Sequence, residues 1–495
     1  MKPGRRMSRS RALVLAGASA LLAACASDPA LAPQEQMPTP AQVAQKLQLP
    51  ADALATATPT DTAWWTAYKD PELNRWVQTG LRDSPDLHEA AARLAGAQAF
   101  LAVTHSAQGP LVGLSASSVA ERVSGTGIFP PPLAGMVGTI NDVDLTASLE
   151  LDIFGRLSSR TDAARLRADA SGLDKEQAGV RLAGAIGHAY FELARAQRAR
   201  RIAVEIEDSR QKTLDIVRDR VRAGLDTQVE RRLAEVTVPE VRVEIERADE
   251  QIALARHSLA VLAGAAPNAA DAVEAHLPDD AALAPPPALP LDLLARRADI
   301  AAAQRRVKAA LRGVDAARAD FYPNVSISAL VGLDSLTTQR LFEYNSRTWQ
   351  AGPALHLPIF ESGSLRAQLR AASAETDGAI DAYNALILQA AREVADTSSS
   401  IASVRRQRSQ QELATANAQA AADLAVTRYR AGLGNFLTVL AAQSSVLAQQ
   451  RAQVDLDARA AALDVSLAVA LGGGFRDAAS APDKTLAAAG AARHD

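Results

Sequence analysis

The side chains able to do chemistry are spread thinly along this chain, with one exception. His88, His105, His188, His257, His276, His356 and His494 are its seven histidines, and none stands at the HExxH or comparable spacing that presents two ligands on one helix face. Serines and aspartates are frequent, but no recognisable base accompanies them, and no phosphate-cradling glycine loop occurs. Gly472-Gly-Gly474 reads instead as the exit from a helix. The four methionines do not form the soft-ligand ladder of a copper or silver conduit, which disfavours metal as a cargo relative to organic compounds. This pattern predicts no catalytic residue, no metal site and no bound cofactor. The exception is the single cysteine.

Cys25 closes the string Leu22-Ala-Ala-Cys25, behind a cationic start (Lys2, Arg5, Arg6, Arg9, Arg11) and an apolar run over residues 12–24. That run is short for a transmembrane helix, which needs about 20 residues. The arrangement resembles the bacterial lipoprotein signal, in which the cysteine becomes the lipid-modified first residue of the mature chain. It predicts a signal peptide over residues 1–24 and a covalent lipid on Cys25. Ala26, not an aspartate, follows the cysteine, so the resemblance points to outer-membrane sorting. An ordinary signal peptide with an incidental cysteine is the alternative. With no second cysteine, a disulfide within one chain is excluded.

The elements that must position anything functional are written twice. Arg220-Val-Arg-Ala-Gly-Leu225 returns as Arg428-Tyr-Arg-Ala-Gly-Leu433, and Asp152-Ile-Phe-Gly-Arg156 is matched by Pro358-Ile-Phe-Glu-Ser362. Gly109-Pro-Leu-Val-Gly-Leu-Ser115 is matched by Tyr322-Pro-Asn-Val-Ser-Ile-Ser328. A unit of roughly 200 residues is too long for a solenoid repeat and predicts a pseudo-symmetric body. The first repeat is placed at residues 62–276 and the second at 291–474. Residues 25–61, rich in Ala, Pro, Gln and Thr, read as a tether, residues 277–290 with five prolines as a connector, and residues 475–495 as a flexible tail. Trp64-Trp65 and Trp76 are expected to pack a short helix rather than form a ligand cage.

Composition and periodicity agree on long helices. Aromatic residues make up only 4% of the 495, and Ala dominates the apolar fraction, which suits helices in close approach better than an enzyme core. A net charge of −3 offers no footprint for nucleic acid. No proline falls between Pro132 and Pro239 or between Pro358 and Pro482. Ile380, Ile387, Val394 and Ile401 recur every seven residues, as do Leu182, Ala189, Ala196 and Ala203, the signature of left-handed coiled-coil seams. Helices are therefore expected from about residue 157 to 222 and from 362 to 429, each a rod of about 100 Å. Pro239 is expected to kink the returning helix of the first copy. Gly224 and Gly432 suit left-handed caps, Thr227-Gln-Val-Glu230 a capping box, and Asn435 an N-cap.

Between the helices the period changes to two. Val143, Leu145, Ala147, Leu149, Leu151 and Ile153 alternate with Asp144, Thr146, Ser148, Glu150 and Asp152, which predicts strands with one apolar and one polar face. One hairpin is expected at about residues 111–154 and another at about 324–360. Such strands suit a membrane, where every backbone donor must be paired, yet four cannot close a barrel of the eight or so strands required. Several chains must then share one barrel. The alternative is a soluble helical protein whose hairpins cap the rods.

At this point the chain resembles a TolC-like outer membrane efflux protein of the lipid-anchored, OprM- and NodT-like branch. The resemblance is carried by Leu22-Ala-Ala-Cys25, Trp64-Trp65 with Asp70-Pro-Glu-Leu73, Ser84-Pro-Asp-Leu87, Asp152-Ile-Phe-Gly-Arg156, Ala298-Asp-Ile300, Pro358-Ile-Phe360 and Arg428-Tyr-Arg-Ala-Gly432 before Leu437-Thr-Val-Leu440. It implies a mainly α fold with a small transmembrane β part. Three chains would join a periplasmic α-barrel to a twelve-stranded β-barrel in the outer membrane. It also implies docking to a periplasmic adaptor and an inner-membrane pump of the resistance-nodulation-division class. Tyr429 matches a tyrosine that helps latch the closed periplasmic tip, and Glu230 falls where an acidic latch residue sits. Thr438 and Ala441 stand where acidic constriction residues occur, and Gly434 where a basic latch residue occurs, so an acidic ring is not expected. The turns Ala223-Gly224-Leu225 and Ala431-Gly432-Leu433 are the expected adaptor contacts. The expected function is a passive exit duct for small molecules. A duct for type I protein secretion and a non-conducting structural lipoprotein are the rival readings.

Overall fold

The computed structural model describes residues 32–38, 42, 62–278 and 296–475. The signal segment, Cys25, most of the tether, the connector past residue 278 and the tail past residue 475 lie outside the described residues. The described residues divide into two compact units, one of residues 32–37, 93–171 and 302–383, the other of residues 38, 42, 62–92, 172–278, 296–301 and 384–475.

In order, the chain forms α1 (Pro71–Asp83), α2 (Pro85–Ser106), β1 (Leu111–Arg122), β2 (Val137–Leu151), α3 (Arg156–Arg222), α4 (Gln228–Leu262), α5 (Ala298–Ala319), β3 (Asn324–Ser335), β4 (Arg347–His356), α6 (Ser364–Arg430) and α7 (Phe436–Ala470). The duplication is visible in the lengths. Helices α3 and α6 each hold 67 residues, and α4 and α7 each hold 35. At about 1.5 Å per residue, the longer pair runs about 100 Å each. Helix α4 continues through Pro239, which lies inside it. No helix of the described residues is long and apolar enough to cross a membrane.

The first unit is organised by one antiparallel sheet in the order β1-β2-β3-β4. Its register places Leu114 opposite Leu145, Leu145 opposite Val331, and Val331 opposite Trp349. That row crosses all four strands on one face, and its members are between 50% and 77% exposed, so the chain's own core does not cover it. The next row along, Ser115, Asp144, Gly332 and Thr348, belongs to the polar face. Glycine suits position 332, because a Cβ would stand 2.8 Å from the Val143 carbonyl oxygen as well as against the Asp144 carboxylate. Where β2 hands over to α3, Asp152 caps the helix by accepting from the Leu157 and Ser158 backbone N–H groups at 2.9 and 2.7 Å. Arg156 pairs with Glu150, and Arg160 reaches Asp320 at 3.3 Å. Phe154 of the same motif stacks on Tyr322 with centroids 5.0 Å apart. In this unit Asp377 of α6 also accepts from the backbone N–H groups of Gln34 and Glu35, both at 2.9 Å.

The second unit holds the main apolar core. Trp64, Trp65 and Trp76 are buried in it beside Leu73, Ile186, Phe191 and Leu259. Asp70 explains the sequence string that follows the tryptophans. It caps α1 through the Glu72 and Leu73 N–H groups and accepts the Tyr190 hydroxyl at 2.5 Å. Burial, and then the Asp70 carboxylate, push the Tyr190 phenol far above its ordinary pKa. The Ala298-Asp-Ile300 motif acquires a role through its neighbour Arg297. This buried guanidinium grips Asp299 at 3.1 and 2.8 Å, Glu393 of α6 at 2.7 Å and the Ala470 carbonyl of α7 at 3.2 Å. Burial alone lowers the guanidinium pKa, but the two carboxylates outweigh it and the net shift is upward.

Candidate functional site

The two Arg-Ala-Gly-Leu turns close by the same local chemistry. Gly224 and Gly432 have φ of 73° and 74°, the left-handed conformation that glycine adopts without a Cβ clash. Leu225 N–H reaches back to the Arg220 carbonyl and Gly224 N–H to Val221, and Leu433 and Gly432 do the same to Arg428 and Tyr429. This paired pattern satisfies the last carbonyls of α3 and α6. Thr227 then starts α4 with a full capping box, its hydroxyl accepting from Val229 N–H at 3.1 Å while Glu230 accepts from Thr227 N–H at 2.9 Å. Asn435 starts α7 by accepting from Thr438 N–H at 2.9 Å. Ala223, Gly224, Leu225, Ala431, Gly432 and Leu433 are all exposed on these turns.

The turns differ in what lies beside them. Tyr429 is almost fully buried and donates its hydroxyl to Asp226. Arg220 donates to the same carboxylate from Nε at 2.9 Å and Nη2 at 3.3 Å, and its guanidinium lies 4.7 Å from the Tyr429 ring centroid. Phe436 closes the other side, with ring centroids 6.0 Å apart. Burial raises the Asp226 pKa, but the hydrogen bonds from Arg220 and Tyr429 outweigh it and hold the carboxyl below its ordinary value. Burial first and Asp226 second push the Tyr429 phenol well above 10.0, so it stays protonated and able to donate.

The sequence pointed to Tyr429 and Glu230, and the structure separates them in role. Glu230 spends its carboxylate on Thr227, whose side-chain hydrogen bond is the main cause of its lowered pKa. The acidic partner of Tyr429 is Asp226, four residues earlier. Asp226 and Arg220 were not read from sequence as site residues. One signal was present: the first-copy turn continues Gly224-Leu-Asp226, whereas the second continues Gly432-Leu-Gly434. Thr438 has its hydroxyl on Asn435 at 2.8 Å, and Ala441 is an exposed methyl on α7.

The sequence model of the outer membrane efflux protein family matches residues 76–265 and 289–473. The chain belongs to that family. It is 36% identical to the fusaric acid resistance protein FusA of Burkholderia cepacia, over 73% of this chain and 69% of the relative. It is 31% identical to the pyoverdine export outer membrane protein OpmQ of Pseudomonas putida, over 87% of this chain and 91% of the relative. Among solved structures it is similar to the outer membrane protein VceC of Vibrio cholerae, with a TM-score of 0.78 at 33% identity, covering 85% of this chain and all of that one. The efflux protein is thus an outer membrane channel protein and not an enzyme.

Proposed function

We propose that this efflux protein is the exit duct of a tripartite system, passively conducting small organic molecules from the periplasm to the outside. The observation that carries the reading is the open sheet. Its outer strands β1 and β4 have no further strand beside them among the described residues, and its apolar row lies uncovered. Lipid cannot satisfy those edges, so neighbouring copies must. Three copies bring twelve strands, enough to close a barrel. The helices of three copies then form the periplasmic α-barrel. The names of FusA and OpmQ, which speak of resistance to and export of small compounds, support the cargo class.

At the periplasmic tip, Tyr429, Asp226 and Arg220 form a latch that joins the two copies of the repeat. Glu230 contributes by fixing the helix that follows Asp226. Neutral Thr438 and Ala441 place no acidic ring at the narrowing. The exposed turns 223–225 and 431–433 offer Leu225 and Leu433 to a periplasmic adaptor, which brings an inner-membrane pump into line. A lipid on Cys25 adds a second hold on the outer membrane. Native mass spectrometry and planar-bilayer recording test the duct together. A trimer with discrete conductance steps is expected, and a stable monomer that conducts nothing would falsify it.

A further inference from the structure

Buried side chains around the tip of the second unit form two apolar clusters with a polar layer between them. Leu214, Val217, Val238 and Val439 belong to the cluster holding Tyr429, and Ile202, Ile206, Val241 and Val454 to the other. The layer consists of Arg210, Thr213, Thr237 and Gln443, all buried. These are seam positions. Ile206, Arg210, Thr213 and Val217 follow one another at spacings of four, three and four along α3, and Phe436, Val439, Gln443 and Val446 do so at three, four and three along α7. Gln443 Nε2 donates to Thr213 Oγ1 at 2.9 Å, joining the second copy to the first. Arg210 Nη1 donates to the Thr237 carbonyl at 2.8 Å, joining α3 to α4.

We propose that Gln443 and Thr213 are a register key, positioning residues that fix how far α7 lies along α3 so that Tyr429 arrives opposite Asp226. The proposal rests on reading Tyr429 and Asp226 as a latch. Leucine seams tolerate sliding because one apolar contact replaces another. A buried polar pair resists it: a shift by one helical turn, about 5.4 Å, toward Val217 strands the amide, and a shift the other way leaves it only the exposed Ser209 hydroxyl, already 3.5 Å from Gln443 Nε2. Thr213 lies eleven residues before Gly224, about 16 Å along the helix, so the key sits close enough to the turn to hold its alignment. Two ion pairs between copies are looser guides: Arg451–Glu244 at 2.6 Å and Arg195–Asp455 at 3.1 Å are both partly solvated, where long side chains follow a moving partner at little cost. The bond from the Tyr68 hydroxyl to buried Asp464 at 3.0 Å ties the other end of α7 to the segment before α1, not to α3 beside the turn. The layer is also one-sided, as the latch is. The second-copy positions matching Arg210 and Thr213 are Ala418 and Ala421.

The test removes both polar partners at once, with Thr213→Val and Gln443→Leu, so that no buried group is left unpaired. Spin labels are placed through Leu225→Cys and Leu433→Cys in a Cys25→Ser chain carrying a cleavable signal, diluted with unlabelled chain. The double variant is expected to melt no lower than the parent, to widen the label distance distribution by about 5 Å, and to raise bilayer leak about tenfold. Thr213→Ser keeps the hydroxyl and is expected to match the parent in all three. Gln443→Met alone carries the same readouts should the double variant fold poorly. An unchanged distribution overturns the register key whether or not the latch holds. A widened distribution with a closed pore supports the key and sinks the latch instead.

Discussion

Tyr429→Phe isolates the latch bond. The ring keeps its packing against Phe436 and its place 4.7 Å from the Arg220 guanidinium, and only the hydroxyl on Asp226 is lost. A hydrogen bond to a charged acceptor contributes about 1.5–3 kcal/mol, and beside a solvated turn the lower end applies. About 1.5 kcal/mol shifts the balance of closed over open about tenfold in each protomer. If three latches in a trimer act independently, their effects compound to about a thousandfold. Asp226→Ala goes further, because it removes the acceptor for both Tyr429 and Arg220 and leaves the guanidinium without its carboxylate. The assay is single-channel recording of purified protein in planar bilayers, scored as open probability at fixed voltage. Tyr429→Phe is expected to open far more often than the parent and Asp226→Ala more often still. Open probabilities equal to the parent in both variants would refute the reasoning, since the two substitutions between them break the bonds from Tyr429 and Arg220 to Asp226.

With Asp226 in the proposed latch, the pore is expected to be sensitive to acid. The Asp226 pKa is depressed in the latched state, so its contribution is fully present above the ordinary 3.8 and is lost as pH falls through the lowered value. Leak is therefore expected to be flat above that ordinary value and to rise below it, and Asp226→Asn to abolish the rise. Glu230→Ala removes the capping box that fixes the helix after Asp226, so melting temperature is expected to fall and open probability to rise, by less than in Tyr429→Phe. Arg297→Ala removes the buried cation shared by Asp299 and Glu393 and leaves Asp299 only Arg181 at 3.7 Å, and the loss on chemical denaturation is expected at about 3 kcal/mol. Cys25→Ser, supplied with a cleavable signal, is expected still to reach the outer membrane to some degree, because a closed barrel holds the protein without a lipid. Complete absence from outer-membrane fractions counts against that.

Most of the fold was legible because its periods are long and uninterrupted. Seven-residue spacing from Ile380 to Ile401 lies on a helix that runs unbroken from Ser364 to Arg430, and alternation from Val143 to Leu151 lies on β2. Gly224, Gly432, Thr227 and Asn435 declared the turns through local chemistry that needs no distant partner. The proposed latch was harder for the converse reason. Tyr429 meets Asp226 only because two turns written far apart are brought side by side, and the one local mark on Asp226 is that the second copy has Gly434 in its place. Glu230 carried two meanings in one string, cap and latch, and Thr227 lies nearer to it than Tyr429 does in sequence. The Arg297 cluster was missed on the same ground, since its partners Glu393 and Ala470 belong to two other helices.

Duplication explains why one turn of the pair carries the chemistry. Both copies need the glycine, the paired backbone bonds and a polar N-cap, because those requirements come from reversing a helix, and both have kept them. Charge beside the turn is under no such constraint. Arg428, at the position matching Arg220, reaches only the Leu433 carbonyl at 3.4 Å, since Gly434 offers it no carboxylate. The first copy supplies Asp226 and Arg220, and the second supplies Tyr429, so the bond joins unlike partners across the repeat. Two identical turns bearing Asp226-like acids would have set carboxylates against each other instead. A latch of this kind needs the copies to keep one backbone geometry while their side chains diverge. The matched φ angles at Gly224 and Gly432, beside unmatched Asp226 and Gly434, are the form that requirement takes in this chain.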